Sequence, residues 1–347
     1  MADLANFDPN RAGNPNNNIF GLPFTEDESR LIILPVPWEV TVSYNAGTAR
    51  TAEHVFKASL QVDLFEPEFN DGWKQGFYMR TPDKKVLLKS DYLRKEAELL
   101  IAYISKGEAV EKNSFMCKSL KDINEGSAYL NDWVYQQTAD LIKKGKLVAL
   151  LGGDHSTPLG YLKAISEKYP DFAILQIDAH FDFRKAYDGF KYSHASIMYN
   201  VLKEVPAVSK LVQIGIRDYC EEEFEFAKAN RGRVLTYFAT ELKEQQFEGR
   251  TWKEIVDEIV AQLPTNVYLS FDIDGLDPKL CPNTGTPVFG GFEIEQISYL
   301  LKKMMKSGRK FIGFDLSEVG VGESDWDANV GARILWKLCN MLVAGNN

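Results

Sequence analysis

Asp178, His180 and Asp182 stand at every second position in Gln176-Ile-Asp-Ala-His-Phe-Asp-Phe-Arg184. They leave an apolar run, Phe172 to Ile177, that reads as a buried strand, and an extended segment puts residues two apart on one face. Two carboxylates and an imidazole crowded together repel or lose charge unless a cation sits among them. Two further runs end in the same kinds of group. Leu151-Gly-Gly-Asp-His-Ser156 offers His155 after a glycine turn, and Ser270-Phe-Asp-Ile-Asp-Gly-Leu-Asp-Pro278 offers Asp272 and Asp274. This ligand set carries more negative charge than one ion needs, and oxygen and imidazole donors suit hard or borderline divalent cations. A pair of such ions can share a water and make it nucleophilic at neutral pH.

Taken singly, each match is weak. An Asp-X-Asp after a strand is usually a turn or a helix cap, and a lone histidine is usually a packed one. Together they carry more weight. The chain has only 4 histidines, and His155, His180 and His194 lie close together in sequence beside these carboxylates. The fourth, His54, sits in a helical pattern and is given no chemistry.

In order and spacing, the three segments resemble the signatures of the ureohydrolase family, which includes arginase, agmatinase and their relatives. The resemblance runs from about Ile32 to the last helix. It implies an α/β three-layer sandwich with a central, mostly parallel eight-stranded sheet, and a binuclear manganese hydrolase that cleaves a guanidino group and releases urea. Carried over, one metal is held by His155, Asp178, Asp182 and Asp272 and the other by Asp178, His180, Asp272 and Asp274, with Asp178 and Asp272 bridging. The donors would also accept Ni2+, Co2+ or Fe2+. Asp182 then orients the attacking water, His194 relays a proton to the departing amine, and Glu318 grips the guanidinium through paired hydrogen bonds. Many relatives follow that glutamate and its valine with Asn-Pro; this chain has Gly320-Val321.

The long loop Pro37-Trp-Glu-Val-Thr-Val-Ser-Tyr-Asn-Ala-Gly-Thr48 is expected on the same grounds to wall the substrate pocket with Trp38, Glu39, Thr41, Ser43 and Tyr44. The alternative is that its aromatics simply pack. Among substrates the wording favours agmatine, since no clamp for an amino acid's carboxylate follows the metal loop. Arginase, formiminoglutamase, guanidinobutyrase and guanidine hydrolase activities are the alternatives; Arg184 could pair with an acidic substrate. Outside the class stand a metallophosphoesterase, for which no phosphate-holding basic loop is found, and a non-catalytic metal-binding scaffold. Relatives are commonly homotrimers or homohexamers, and that is the expected assembly.

Strands alternating with helices must carry these groups. Beyond the runs already named, strands are expected at Leu31–Val36, Leu211–Ile216, Val234–Phe238, Val267–Phe271 and Phe311–Phe314. Helices are expected at 51–59, 91–105, 129–144, 158–168, 197–203, 222–229, 252–262, 293–306 and 327–342. Such alternation means crossover units and a parallel sheet covered on both faces, which binds ligands at the carboxyl ends of its strands. At 347 residues and 45% hydrophobic, the chain suits one catalytic domain over 31–347, preceded by an Asn-, Pro- and Gly-rich N-terminal arm or loop over 1–30. A net charge of −9 argues against nucleic acid or an anionic membrane as partner. Cys117, Cys220, Cys281 and Cys339 have no paired spacing, which fits reduced thiols in the cytoplasm.

Overall fold

The computed structural model describes residues 7–69 and 71–346. Leu31–Val36 (β1) leads through the long loop into Thr51–Ser59 (α1), then Phe77–Met79 (β2), Lys84–Ile104 (α2), Ser114–Lys143 (α3) and Leu147–Gly152 (β3). Leu159–Ser166 (α4), Phe172–Ile177 (β4), Ile197–Glu204 (α5), Val208–Ile216 (β5), Glu221–Ala229 (α6) and Val234–Phe238 (β6) follow. The chain ends with Ala239–Phe247 (α7), Trp252–Ala261 (α8), Asn266–Asp272 (β7), Ile294–Lys306 (α9), Lys310–Ser317 (β8) and Trp326–Ala344 (α10). Among the described residues the eight strands form one sheet, ordered β2-β1-β3-β8-β7-β4-β5-β6. Every pairing in it is parallel.

Alternation along the strands sorts their side chains onto two faces. Leu31 and Ile33 join a core with α1, α8, α9 and α10, whereas Ile32, Leu34 and Val36 join a second core with α2, α3, α4 and α5. Helices therefore cover both faces of the sheet, in three layers. No helix of the described residues is long and apolar enough to cross a membrane.

Two helices begin earlier than their apolar spacing suggests, because caps start them. Asp83 accepts the N–H groups of Lys85 and Val86 ahead of α2, and Asn113 those of Phe115 and Met116 ahead of α3. Helix α7 has no counterpart among the expected elements: Leu242 is its one buried residue, so it shows no apolar stripe.

The expected N-terminal arm or loop packs against the domain where it is described. Ile19, Phe20, Leu22 and Phe24 are buried in the first core, and Asn18 ties the segment to β2 by accepting the Met79 N–H at 2.6 Å. It is a docked loop, held by the apolar side chains that interrupt its Asn-rich composition. Residues 1–6 lie outside the described residues.

Candidate active site

Sheet register brings the three sequence segments together. In the strand pairings Ile177 lies beside Phe271, Asp272 beside Ser317, and Leu151 beside Leu316. One step past the ends of β4 and β8 come Asp178 and Glu318; Asp272 ends β7, and β3 runs out through Gly152 and Gly153 to His155. Four neighbouring strands, β3, β8, β7 and β4, thus deliver polar groups at one level, at the carboxyl edge where open parallel sheets bind ligands.

The groups are in contact. His155 Nδ1 lies 2.9 Å from Asp182, 3.1 Å from Asp178 and 3.3 Å from Asp272, each measured to Oδ2. His180 Nδ1 lies 3.0 Å from Asp274 Oδ2 and 3.6 Å from Asp178 Oδ1. Asp178 is common to both sets, and within each set the potential ligand atoms of His155, Asp178 and Asp182, or of Asp178, His180 and Asp274, all lie within 4.8 Å of one another. All are buried except His180, which is partly open.

Supporting hydrogen bonds fix how His155 is presented. Its Nε2 meets Ser270 Oγ at 2.8 Å, and Ser270 donates onward to Asp315 Oδ2 at 3.1 Å. Asp315 also accepts the Tyr268 hydroxyl at 2.8 Å and Ser317 Oγ at 3.2 Å. Since Ser270 spends its hydrogen on Asp315, its oxygen accepts from His155 Nε2–H, and Nδ1 turns to the three carboxylates. That Nδ1 is buried without a hydrogen-bond partner. A bare imidazole nitrogen facing three anionic oxygens calls for a cation at that point.

The protonation equilibria show the same demand. Burial would lower His155 and His180, but the surrounding carboxylates win and hold both well above the ordinary imidazole value. Burial, then the charge of Asp178, pushes Asp182 up to about 7. Burial, then Asp274 and Asp178, raises Asp272 strongly. Burial also acts on Asp178, yet the His155 and His180 rings beside it outweigh it and hold the carboxyl below the usual range. Without metal, shared protons must do the work of positive charge here. The donor set, two imidazoles and four carboxylates, fits a pair of divalent ions.

Asp182 and Glu318 both adopt left-handed backbone, at φ 58° and 60°, a conformation that costs a non-glycine residue energy and is retained where surrounding structure enforces it. Glu318 N–H donates to the Gly153 carbonyl at 3.0 Å, and its Oε1 accepts the His155 N–H at 2.9 Å. Its Oε2 is buried with no partner. Burial, then the neighbouring Asp154, raises this carboxyl well above its ordinary value. His194 starts a short 3-10 turn capped by Ser193, and its ring lies 3.3 Å from Thr41 Oγ1. Burial, then the other two imidazoles, lowers its pKa to about 3.

These groups line a cleft of about 240 Å³ that includes Ser43, His155, His180, Asp182, His194, Asp272, Asp274 and Glu318, with Arg184, Asp218 and Glu223 further along its wall. The loop expected to wall it does so only in part. Trp38 is wholly buried and belongs to the second core, because its indole fills space beneath the loop; only its carbonyl serves the site, accepting the Asp154 N–H at 2.8 Å. Tyr44 is 72% exposed and outside the cleft lining, since the loop turns its ring to solvent. Thr41 is buried and accepts the His194 N–H at 3.1 Å, so it steadies His194 and does not line the cleft. Glu39 folds back to accept the N–H groups of Gly47 and Ala49.

Most of the supporting residues carry no signal of their role in the sequence. Ser270 sits inside the third segment, but its partner Asp315 is on a neighbouring strand. Gln176 donates to Asp178 Oδ2 at 2.7 Å and is held in turn by Gln213 at 2.7 Å. Arg217 donates to the carbonyls of Asp274, Leu276 and Val288, pinning the third loop. Only Arg217 could have been found, as an arginine directly after a buried strand.

Comparison with known proteins agrees with this geometry. Residues 29–340 match the model of the arginase family. The chain is 27% identical to the N(1)-aminopropylagmatine ureohydrolase of Thermus thermophilus, over 84% of this chain and 83% of that one. It is also 27% identical to the agmatinase of Bacillus anthracis, over 84% of each. The agmatine ureohydrolase of Thermoplasma volcanium shares the fold, with a TM-score of 0.70 at 21% identity over 94% of both chains. The chain belongs to the arginase family, a family of ureohydrolases.

Proposed function

We propose that this protein hydrolyses a C–N bond of a small guanidino compound and releases urea, with agmatine, giving putrescine, as the leading candidate. The observation that carries the reading is the pairing, in one cleft, of a cation-demanding Asp/His cluster with an unpartnered buried carboxylate oxygen on Glu318. Agmatine leads because relatives named for it or its aminopropyl derivative align over most of the chain.

A guanidinium is stabilised by resonance, so its carbon resists neutral water and must be held in line with an activated one. Two divalent ions, manganese first among Mn2+, Ni2+, Co2+ and Fe2+, would be held by His155, Asp178, Asp182 and Asp272 and by Asp178, His180, Asp272 and Asp274. When bound they would lower the pKa of a neighbouring water and so supply a nucleophile at neutral pH. The protein's own groups do the rest. Asp182 accepts a hydrogen bond from the attacking water and orients it. Glu318 offers Oε2 to an N–H of the amidinium and balances its charge. As the water oxygen bonds to the guanidino carbon it gives up a proton; His194, neutral at rest, relays a proton to the nitrogen whose C–N bond breaks, so that the amine leaves neutral and urea remains. We propose a homotrimer or homohexamer in the cytoplasm as the working form, which sedimentation of the purified protein tests.

The metal-reconstituted protein should release urea from at least one of agmatine, arginine, 4-guanidinobutyrate and guanidine, or formamide from formiminoglutamate. Agmatine is expected to give the highest kcat/KM. Phosphate release from p-nitrophenyl phosphate with no amidine cleaved would favour a phosphoesterase instead. No turnover of any of them, with two ions bound per chain, would leave only a metal-binding scaffold.

A further inference from the structure

Glu318 is gripped from a side that the chemistry above does not use. The segment Asn283-Thr-Gly-Thr286 crosses behind it as a strap. Thr284 Oγ1 donates to the Glu318 carbonyl at 2.8 Å, a fully buried bond. A Cβ on Gly285 would stand 2.8 Å from Glu318 Oε2, the oxygen without a partner. The strap is tied down at its start and along its middle. Asn283 donates its backbone N–H and its Nδ2 to Asp327, at 2.8 and 2.9 Å, while Asn45 donates to the carbonyls of Gly285 and Thr284, both at 3.0 Å. Its close approach depends on two glycines that follow Glu318. A Cβ on Gly320 would fall 1.9 Å from the Asn283 carbonyl oxygen, and one on Gly322 would fall 2.4 Å from Asn283 Nδ2.

Each contact constrains the glutamate differently. Thr284 holds the carbonyl of a residue whose backbone is left-handed, and so helps to impose that conformation. The His155 N–H anchors Oε1, leaving the carboxylate one freedom, rotation about that tether. Gly285 presents a bare Cα beside Oε2, where a Cβ would crowd it at 2.8 Å, and so leaves the oxygen its place in the cleft. A buried carboxylate oxygen with no donor is costly unless a ligand supplies one.

We propose that Thr284 and Gly285 are positioning residues that act through Glu318, setting the depth and angle at which the amidinium docks. This rests on the hydrolase reading above. Neither residue touches the reacting carbon; they fix the oxygen that receives its N–H.

The test uses the manganese-loaded protein with agmatine, or with whichever guanidino compound releases urea, and separates kcat from KM in Gly285→Ala, Thr284→Val, Thr284→Ser and Glu318→Gln. Gly285→Ala and Thr284→Val should each raise KM by about tenfold or more, as misplacement of a binding group does. Bound manganese, measured by plasma mass spectrometry, should stay unchanged. Thr284→Ser keeps the hydroxyl and should stay within about twofold of the parent. If Glu318→Gln raises KM but Gly285→Ala and Thr284→Val do not, the strap proposal alone is overturned. It is overturned equally if Thr284→Ser is as impaired as Thr284→Val. Should Glu318→Gln leave KM untouched, the amidinium grip fails and the strap with it. If the parent cleaves no amidine, the hydrolase reading itself is at fault. Should Gly285→Ala fail to fold, the Val/Ser pair at 284 still decides, since it turns on one hydroxyl.

Discussion

The floor and the rim of the cleft are built on different plans. At the floor, Asp178, Asp272, His155 and Glu318 leave four adjacent strands whose register is set by backbone pairing and two apolar faces. A slip of one residue would turn every core side chain to the wrong face, so the level at which these groups meet is not free to drift. At the rim, loop 37–48, the 183–194 segment and the 283–286 strap are held by individual side-chain bonds, from Glu39, Thr41, Asn45 and Asp327. The floor therefore fixes the reaction that can occur. The rim fixes how a substrate is held for it, and each of its ties can be cut separately.

Cutting the floor should have the largest effect. Asp272→Asn removes a carboxylate that faces His155 at 3.3 Å within the proposed metal cluster. Metal content and turnover should fall together, each by about a hundredfold or more, since even the supporting partners of metal ligands are worth roughly 10–100-fold. Plasma mass spectrometry beside a urea assay checks it, and full activity with one ion bound would break the binuclear assignment. His194→Asn should do something different. Its ring stands at the rim side of the cluster, beside Thr41, so both ions should remain while kcat falls about a hundredfold. An unchanged rate would remove the proton-relay role.

The same contrast explains what the sequence reveals and what it hides. The floor is legible because period-2 alternation and a few carboxylates and imidazoles at strand ends are local features, and parallel pairing converts them into one site. Ser270 shows the limit. It lies within the Ser270–Pro278 segment, but its bond to His155 depends on Asp315, which another strand delivers alongside it. The rim is less legible still. Trp38 and Tyr44 are both aromatic residues in one loop, and only the tertiary fold buries one and exposes the other. Likewise the first turns of α2 and α3 come from the caps Asp83 and Asn113, while their apolar stripes become clear only further along.

Metal removal should expose the electrostatics of the floor. In the metal-free protein Asp182 is raised to about 7, far above the ordinary carboxylate value, and His155 and His180 are raised too. Groups raised on folding make the folded state bind more protons than the unfolded one, so stability falls as pH rises through that range. For Asp182 the loss runs from about pH 4 to about pH 7, and for the histidines it continues above their unfolded value near about 6.5. Asp178, which is lowered, acts only at more acidic pH. Divalent cations held by the cluster would take the place of those protons. The gap in Tm between the manganese-loaded and EDTA-treated protein should therefore widen from about pH 6 to about pH 8. A gap that is constant or narrows would mean that the cluster is not held together by positive charge.

The smallest effect on catalysis is expected where the sequence-based expectation and the structure disagree. If Trp38 and Tyr44 walled the pocket, truncating either would raise KM. The structure separates them. Trp38 is a filled core position, and Trp38→Ala should cost about 3–5 kcal/mol of stability through the cavity it leaves. Thermal or urea unfolding measures that loss, and KM should change little in the fraction that remains folded. Tyr44 is 72% exposed and lies off the cleft lining, so Tyr44→Ala should stay within about 0.5 kcal/mol of the parent. Its KM should also match the parent's within error. A raised KM for Tyr44→Ala at unchanged stability would mean that the loop turns inward over bound substrate, and the rim would then be a moving part of the site.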